Sequence, residues 1–180
     1  NGHYASAFDT FAFLALQRDN VKAQYALGVM YTNGHGVEKD NSEAVEWYRR
    51  ASENGMAAAQ HNLGVKYEHG RGVTKSYSEA MAWYYRAGKQ GFAASQYNIG
   101  YMHYNGRGVV TNYSEAVAWY RKAAKQGYID AQFALGSMYE SGQGVEENFS
   151  KALNWYRQAA DQGDAKSQTN LGLMYKEGRG

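Results

Sequence analysis

The 180-residue sequence predicts an all-α solenoid of 36-residue helix pairs. Three observations carry that reading: glycine recurs at a fixed step, a Trp-Tyr pair keeps the same step, and 21 glycines stand beside no proline. Gly28, Gly64, Gly100, Gly136 and Gly172 are 36 apart, and so are Gly34, Gly70, Gly106, Gly142 and Gly178. Two further series run Gly36, Gly72, Gly108, Gly144, Gly180 and Gly55, Gly91, Gly127, Gly163. Trp47, Trp83, Trp119 and Trp155 repeat likewise, each with a tyrosine directly after it: Tyr48, Tyr84, Tyr120 and Tyr156. Self-similarity at a period of roughly 20–50 residues marks a stacked array. Without proline, glycine supplies the turns and no helix carries a proline kink.

Each unit contains two helical patterns. In the first, AQYALGVMY, residues Ala23, Leu27, Gly28 and Tyr31 share one helix face. Gly34 sits where a left-handed C-terminal turn would end that helix. In the second, DNSEAVEWYRRASENG, residues Ala44, Trp47, Tyr48 and Ala51 form the apolar stripe, and Gly55 ends the helix. Asp40 with Glu43 reads as a capping box, in which cap oxygen and Glu each satisfy an orphan backbone donor. Ser76 with Glu79 and Asn112 with Glu115 repeat it. Asn148 keeps the cap, but Lys151 replaces the Glu, which predicts a start weaker by ~0.5 kcal/mol. The mid-helix glycines cost roughly 1 kcal/mol each relative to Ala, so they predict close approach of a neighbouring helix that a Cβ would block. Small residues at 23, 44 and 51 serve the same tight packing, with Trp and Tyr filling wider gaps. Each pair buries its apolar face against the next, so stability accumulates along the array.

Four full units then run 23–58, 59–94, 95–130 and 131–166, with a second-helix remnant at 1–22 before them and a fifth first helix at 167–180 after them. Phe8 and Phe11 take the 44 and 47 places of the remnant, whose pattern spans Tyr4 to Asp19. Leu171 and Tyr175 lack a covering helix. These ends predict a fragment of a longer array, with an exposed apolar C-terminal face suited to end-to-end self-association.

Composition agrees with a packed core: 44% of residues are apolar and 15% aromatic, although mean hydropathy is -0.70. Net charge is +2 with interleaved signs and no charged arm, and the pI of 8.6 lacks the basic stripe of a nucleic-acid binder. No apolar stretch reaches the roughly 20 residues that span a bilayer. The absence of cysteine removes disulfides and thiolate metal sites, and fits a cell-envelope, secreted or cytoplasmic location equally.

The pattern A-x3-LG-x2-Y-x2-G-x-GV-x2-[DSN]-x3-A-x2-WY-x2-A-x3-G resembles the Sel1-like repeat family, a relative of the tetratricopeptide repeats with a longer unit. It covers nearly the whole chain. Departures are Ser95 and Ser167 for Ala, His103 for Tyr, and Gly88 for Ala. The resemblance implies a right-handed superhelix of antiparallel helix pairs, acting as a scaffold or adaptor for a protein or peptide, with bacterial origin favoured. By analogy with the related repeats, first helices line the concave face. The stripe left over from packing holds the positions equivalent to 22, 25, 29, 32 and 33. On it lie Tyr25, Val29, Thr32 and Asn33; His61, Val65 and Glu68; Tyr97, Tyr101 and Tyr104; and Asp130, Phe133, Ser137 and Glu140. Three tyrosines on consecutive turns suggest an aromatic groove, since Tyr brings large contact area and a polar tip at low entropic cost. Asn62, Asn98 and Asn170 flank the stripe, where their amides would meet either an extended ligand's backbone or neighbouring helices.

Other chemistry is weakly signalled. A carbohydrate or cell-wall ligand is the alternative occupant, because Tyr and Trp faces stack on sugar rings. His61 and His69 lie two helical turns apart, with only Glu68 nearby to complete a metal shell. GKQG lacks the context of a phosphate-binding loop, and GRGV and GHGV read as inter-helix turns. Some cysteine-rich relatives are credited with β-lactam hydrolysis, which needs S-x-x-K and K-T-G; neither occurs here. No cofactor and no enzymatic activity are expected. Asn112-Tyr-Ser114 and Asn148-Phe-Ser150 are glycosylation sequons, but each Asn reads as a helix cap.

Overall fold

The computed structural model describes residues 2–16 and 20–179, and every described element is helical. Gly180 and residues 17–19 of the leading helix pattern, Asp19 among them, lie outside the described residues. The chain divides into two compact units, Asn1–Gln90 and Gly91–Gly180. The first holds α1 (Gly2–Ala15), α2 (Val21–Asn33), α3 (Asn41–Glu53), α4 (Ala57–His69) and α5 (Tyr77–Lys89). The second holds α6 (Ala93–Asn105), α7 (Tyr113–Ala124), α8 (Ile129–Ser141), α9 (Phe149–Asp161) and α10 (Ala165–Lys176). Within each unit, every helix packs on its sequence neighbours.

The small residues sit where the helices touch. Ala44, Ala51, Ala59 and Ala80 are fully buried in the first unit, and Ala116, Ala123, Ala131 and Ala152 in the second. Phe8 and Phe11 of α1 pack against Ala23 and Leu27 of α2. Four of the five mid-helix glycines show the expected close approach of the next helix, and Gly172 has nothing within 4 Å of its Cβ site. A Cβ on Gly28, Gly100 or Gly136 would lie 2.5–2.6 Å from the ring of Tyr48, Tyr120 or Tyr156, and one on Gly64 would lie 2.7 Å from the ring of Tyr84. The nearest neighbour in each case is the tyrosine ring of the next helix, and at Gly64 the Ala80 carbonyl oxygen also lies 3.3 Å away. Trp83 and Trp119 are buried and Trp47 and Trp155 half-buried, and a cation three residues on (Arg50, Arg86, Lys122) covers the ring in three of the four.

The caps are half of what the sequence suggests. Asp40 Oδ1 accepts from the N–H of Ser42 and Glu43, at 2.7 and 3.1 Å. Ser76, Asn112 and Asn148 accept from the N–H three residues on, at 3.2, 3.1 and 2.8 Å. The return bond from Glu is absent. Each cap N–H is already donated to a carbonyl of the preceding helix: Asp40 to Tyr31, Ser76 to Tyr67, Asn112 to His103 and Asn148 to Tyr139, at 2.8–3.0 Å. The box reading is corrected accordingly, and Lys151 removes no cap bond.

Two devices join successive pairs. Gly72 takes φ +79°, and a Cβ there would lie 2.2 Å from the Asn41 carbonyl oxygen, so the loop after α4 rests directly on the first turn of α3. The second device is a glutamine series, Gln60, Gln96 and Gln132, each buried. Gln60 Nε2 donates to Ser52 O at 3.1 Å while its Oε1 accepts from Gln90 at 2.8 Å. Gln132 repeats both contacts in the second unit, with Ala124 O and Gln162. One buried amide thus ties two second-helix ends together.

Candidate functional site

Each unit carries a pocket built on the stripe of leftover first-helix positions. In the first unit, Tyr25, Val29, Thr32 and Asn33 of α2 face Asn62, Val65 and Lys66 of α4 across a cavity of about 320 Å³, with Tyr48 and Arg71 completing the wall. In the second, Tyr97, Tyr101, Tyr104 and Asn105 of α6 face Asp130, Phe133, Ala134, Ser137 and Met138 of α8 across about 270 Å³, with Tyr120 and Lys166. The two cavities use the same repeat positions 72 residues apart, Tyr25 matching Tyr97 and Val65 matching Ser137.

The second pocket is an aromatic cluster. The Tyr97 ring lies 5.5 Å from Tyr120, 5.3 Å from Tyr128 and 6.3 Å from Tyr101, tilted 30–34° in each case. Tyr104 meets Tyr113 edge-on at 5.3 Å, and Phe133 lies 5.8 Å from Tyr156. Burial, then the nearby Asp130 carboxylate, pushes the Tyr97 hydroxyl up to about 12, so it stays a donor. Burial among these rings holds the Tyr120 hydroxyl well above the ordinary phenol value. Lys166 places its ammonium 5.9 Å from the Phe133 ring.

One hydroxyl differs from its equivalents. Tyr48 OH meets Thr32 Oγ1 at 3.2 Å; because that hydroxyl donates to Gly28 O, the tyrosine is the donor. Tyr84 donates to Glu68 at 2.7 Å and Tyr156 to Glu140 at 2.8 Å. In the third repeat the matching acceptor position is Tyr104, and Tyr120 OH makes no such bond.

Of the other candidates, Glu68 and Glu140 are each engaged by their own repeat's tyrosine, and Glu140 also lies 3.8 Å from Arg179. His61 is half-buried, its ring 5.6 Å from Tyr84. Desolvation pulls its pKa down to about 4, against the opposing Glu68 charge. Asn98 is half-buried and does not line the second cavity, whereas Asn62 lines the first and approaches the Tyr25 hydroxyl at 3.5 Å. Leu173 and Tyr175 of α10 are 50% and 53% exposed, and Leu171 is half-buried. Among the described residues no three His, Cys, Asp or Glu side chains converge as a metal site would need, and no helix is long and apolar enough to cross a membrane.

Sequence reasoning missed the wall supplied by second helices and loops. It gave Tyr48 and Tyr120 a packing role only, although both also line cavities. Lys66 and Arg71 lie off the stripe altogether. The Gln series was visible as a 36-residue recurrence, and so was the break at Lys66, whose equivalents are Met30, Met102, Met138 and Met174.

The Sel1 repeat model matches residues 21–56, 57–92, 93–128, 129–164 and 165–180. A crystal structure of a protective antigen of uropathogenic Escherichia coli strains, displaying an SLR fold, aligns with TM-score 0.93 and 40% identity over 95% of this chain. A Sel1 repeat protein from Oxalobacter formigenes aligns with TM-score 0.82 and 40% identity over 87%. The chain spans 36% of the first and 64% of the second. Cysteine rich protein B of Helicobacter pylori, at 21% identity and TM-score 0.59 over 74% of this chain and 96% of its own, shares the fold. No curated protein matches.

Proposed function

We propose that this chain, which belongs to the Sel1 repeat family, binds an extended segment of a partner protein along its first-helix positions. Proteins of this family are generally protein-interaction scaffolds. The observation that carries the finer reading is the second-unit pocket, where Tyr97, Tyr101 and Tyr104 of a single helix meet Phe133 and Tyr120 around one cavity. These rings line a recess and tilt against one another, which supports a peptide side chain as occupant over a sugar ring laid on a flat, exposed face. Tyr combines contact area, rigidity and a donor tip, and such residues carry much of the energy of protein interfaces.

Simultaneous change of Tyr97, Tyr101 and Tyr104 to Ala tests the reading. Partner capture from the source lysate is expected to fall about tenfold or more, since interface aromatics are worth ~2 kcal/mol or more each. Unchanged capture with an intact helical circular-dichroism spectrum would move the site elsewhere.

A further inference from the structure

The first-unit pocket holds a charge that the fold does not need. Lys66 is 4% exposed, while the equivalent residues Met30, Met102, Met138 and Met174 are 6%, 0%, 2% and 1% exposed. The position therefore asks for an unbranched apolar stem, and four repeats of five fill it with methionine. Only Lys66 adds an ammonium, which costs desolvation unless a counter-charge meets it. Its partner is the neutral Asn41 Oδ1 at 2.7 Å, with the Tyr48 ring 6.0 Å away. No carboxylate pairs with it among the described residues. Burial, and then the charges of Arg71 and Lys39, pull the Lys66 pKa below the ordinary lysine value.

We propose that this pocket is a carboxylate site, in which Lys66 Nζ and the Arg71 guanidinium receive an acidic side chain of the bound segment. The proposal rests on the peptide-binding reading above and names the chemistry of one partner residue. Three other polar groups of the wall have partners: Thr32 donates to Gly28 O, Asn33 to Val29 O, and the Asn62 amide to Tyr25 OH. The wall also holds two cations, Arg71 and Lys66, whose ammonium keeps N–H donors beyond the one given to Asn41, a set that matches the two oxygens of a carboxylate. Val29 and Val65 line the same cavity and would receive the aliphatic stem of that side chain.

The test uses the ¹⁵N-labelled full chain and three probes: N-acetyl-glutamate N-methylamide, its glutamine isostere, and inorganic phosphate. The amide resonances of Val29 and Val65 are monitored as each is added. The glutamate probe is expected to shift both saturably, and the glutamine probe to leave them unmoved. Lys66→Met should keep the fold, with Tm unchanged or raised, and weaken the glutamate probe about tenfold or more. Arg71→Gln, at an exposed position, should weaken it without touching the core. Equal shifts from the two isosteres would overturn the proposal, as would both variants titrating like wild type. Tighter binding of phosphate would overturn it too, since the pocket would then be a general oxyanion site. The titration needs no partner, so it stands or falls separately from the three-tyrosine capture experiment.

Discussion

At the residue scale, one kind of glycine does two different jobs, depending on whether a tyrosine ring packs over it. Gly64 sits under the fully buried Tyr84 ring, so Gly64→Ala must displace a ring that has nowhere to go. Overpacking of this kind costs about 1–3 kcal/mol, which outweighs the roughly 1 kcal/mol that Ala gains in helix propensity. Gly172 occupies the same repeat position but has nothing within 4 Å of its Cβ site. There only the propensity gain remains, and Gly172→Ala is expected to stabilise by about 0.5–1 kcal/mol. Urea titration of the two variants should give midpoints displaced in opposite directions. Displacement in the same direction would refute the ring contact as the cause. The glycine period itself was legible in the sequence. The identity of the group pressing on it was not, because a Tyr twenty residues downstream reaches back over its own helix pair.

At the scale of the element, each second helix begins on one side-chain cap and one backbone bond to the preceding helix. Asn148→Ala removes the bond to the Lys151 N–H and is expected to cost about 1 kcal/mol. Glu79→Gln removes no cap bond, because the Ser76 N–H is spent on Tyr67 O. It should cost only the few tenths of a kcal/mol that a first-turn carboxylate gains from the helix dipole. Thermal unfolding of both variants checks the ranking; a Glu79→Gln loss as large as that of Asn148→Ala would restore the reciprocal box. The cap residues were readable from type and spacing. Their second partner was hidden, since a carbonyl exposed at the end of the previous helix leaves no mark on the sequence.

At the scale of the whole molecule, the pH dependence of unfolding reports on His61. Its folded pKa is about 4 against 6.5 for an unperturbed histidine, because burial disfavours the imidazolium. The neutral ring is thus compatible with the fold above pH about 6.5, and the unfolded chain takes up the proton first as pH falls. Stability should decline from pH about 6.5 toward 4, with His61 contributing at most about 3 kcal/mol of the loss. His61→Gln should flatten that part of the profile when Tm is measured across the range. An unchanged slope in the variant would place the titrating group elsewhere.

The alternation of first and second helices and the turn glycines came from the sequence, and its period also set which first-helix positions share a stripe. They are governed by local rules, the helical period and the conformational needs of turns, which repeat with the chain. Folding alone brought Tyr120 to the back of the Tyr97–Tyr101–Tyr104 cluster, committed Glu68 and Glu140 to neighbouring tyrosines, and enclosed the Lys66 ammonium beside the neutral Asn41 amide. Those outcomes depend on which side chains from separate helices share a space of a few hundred cubic ångströms. Packing settles that sharing through close distances that no spacing along the chain encodes.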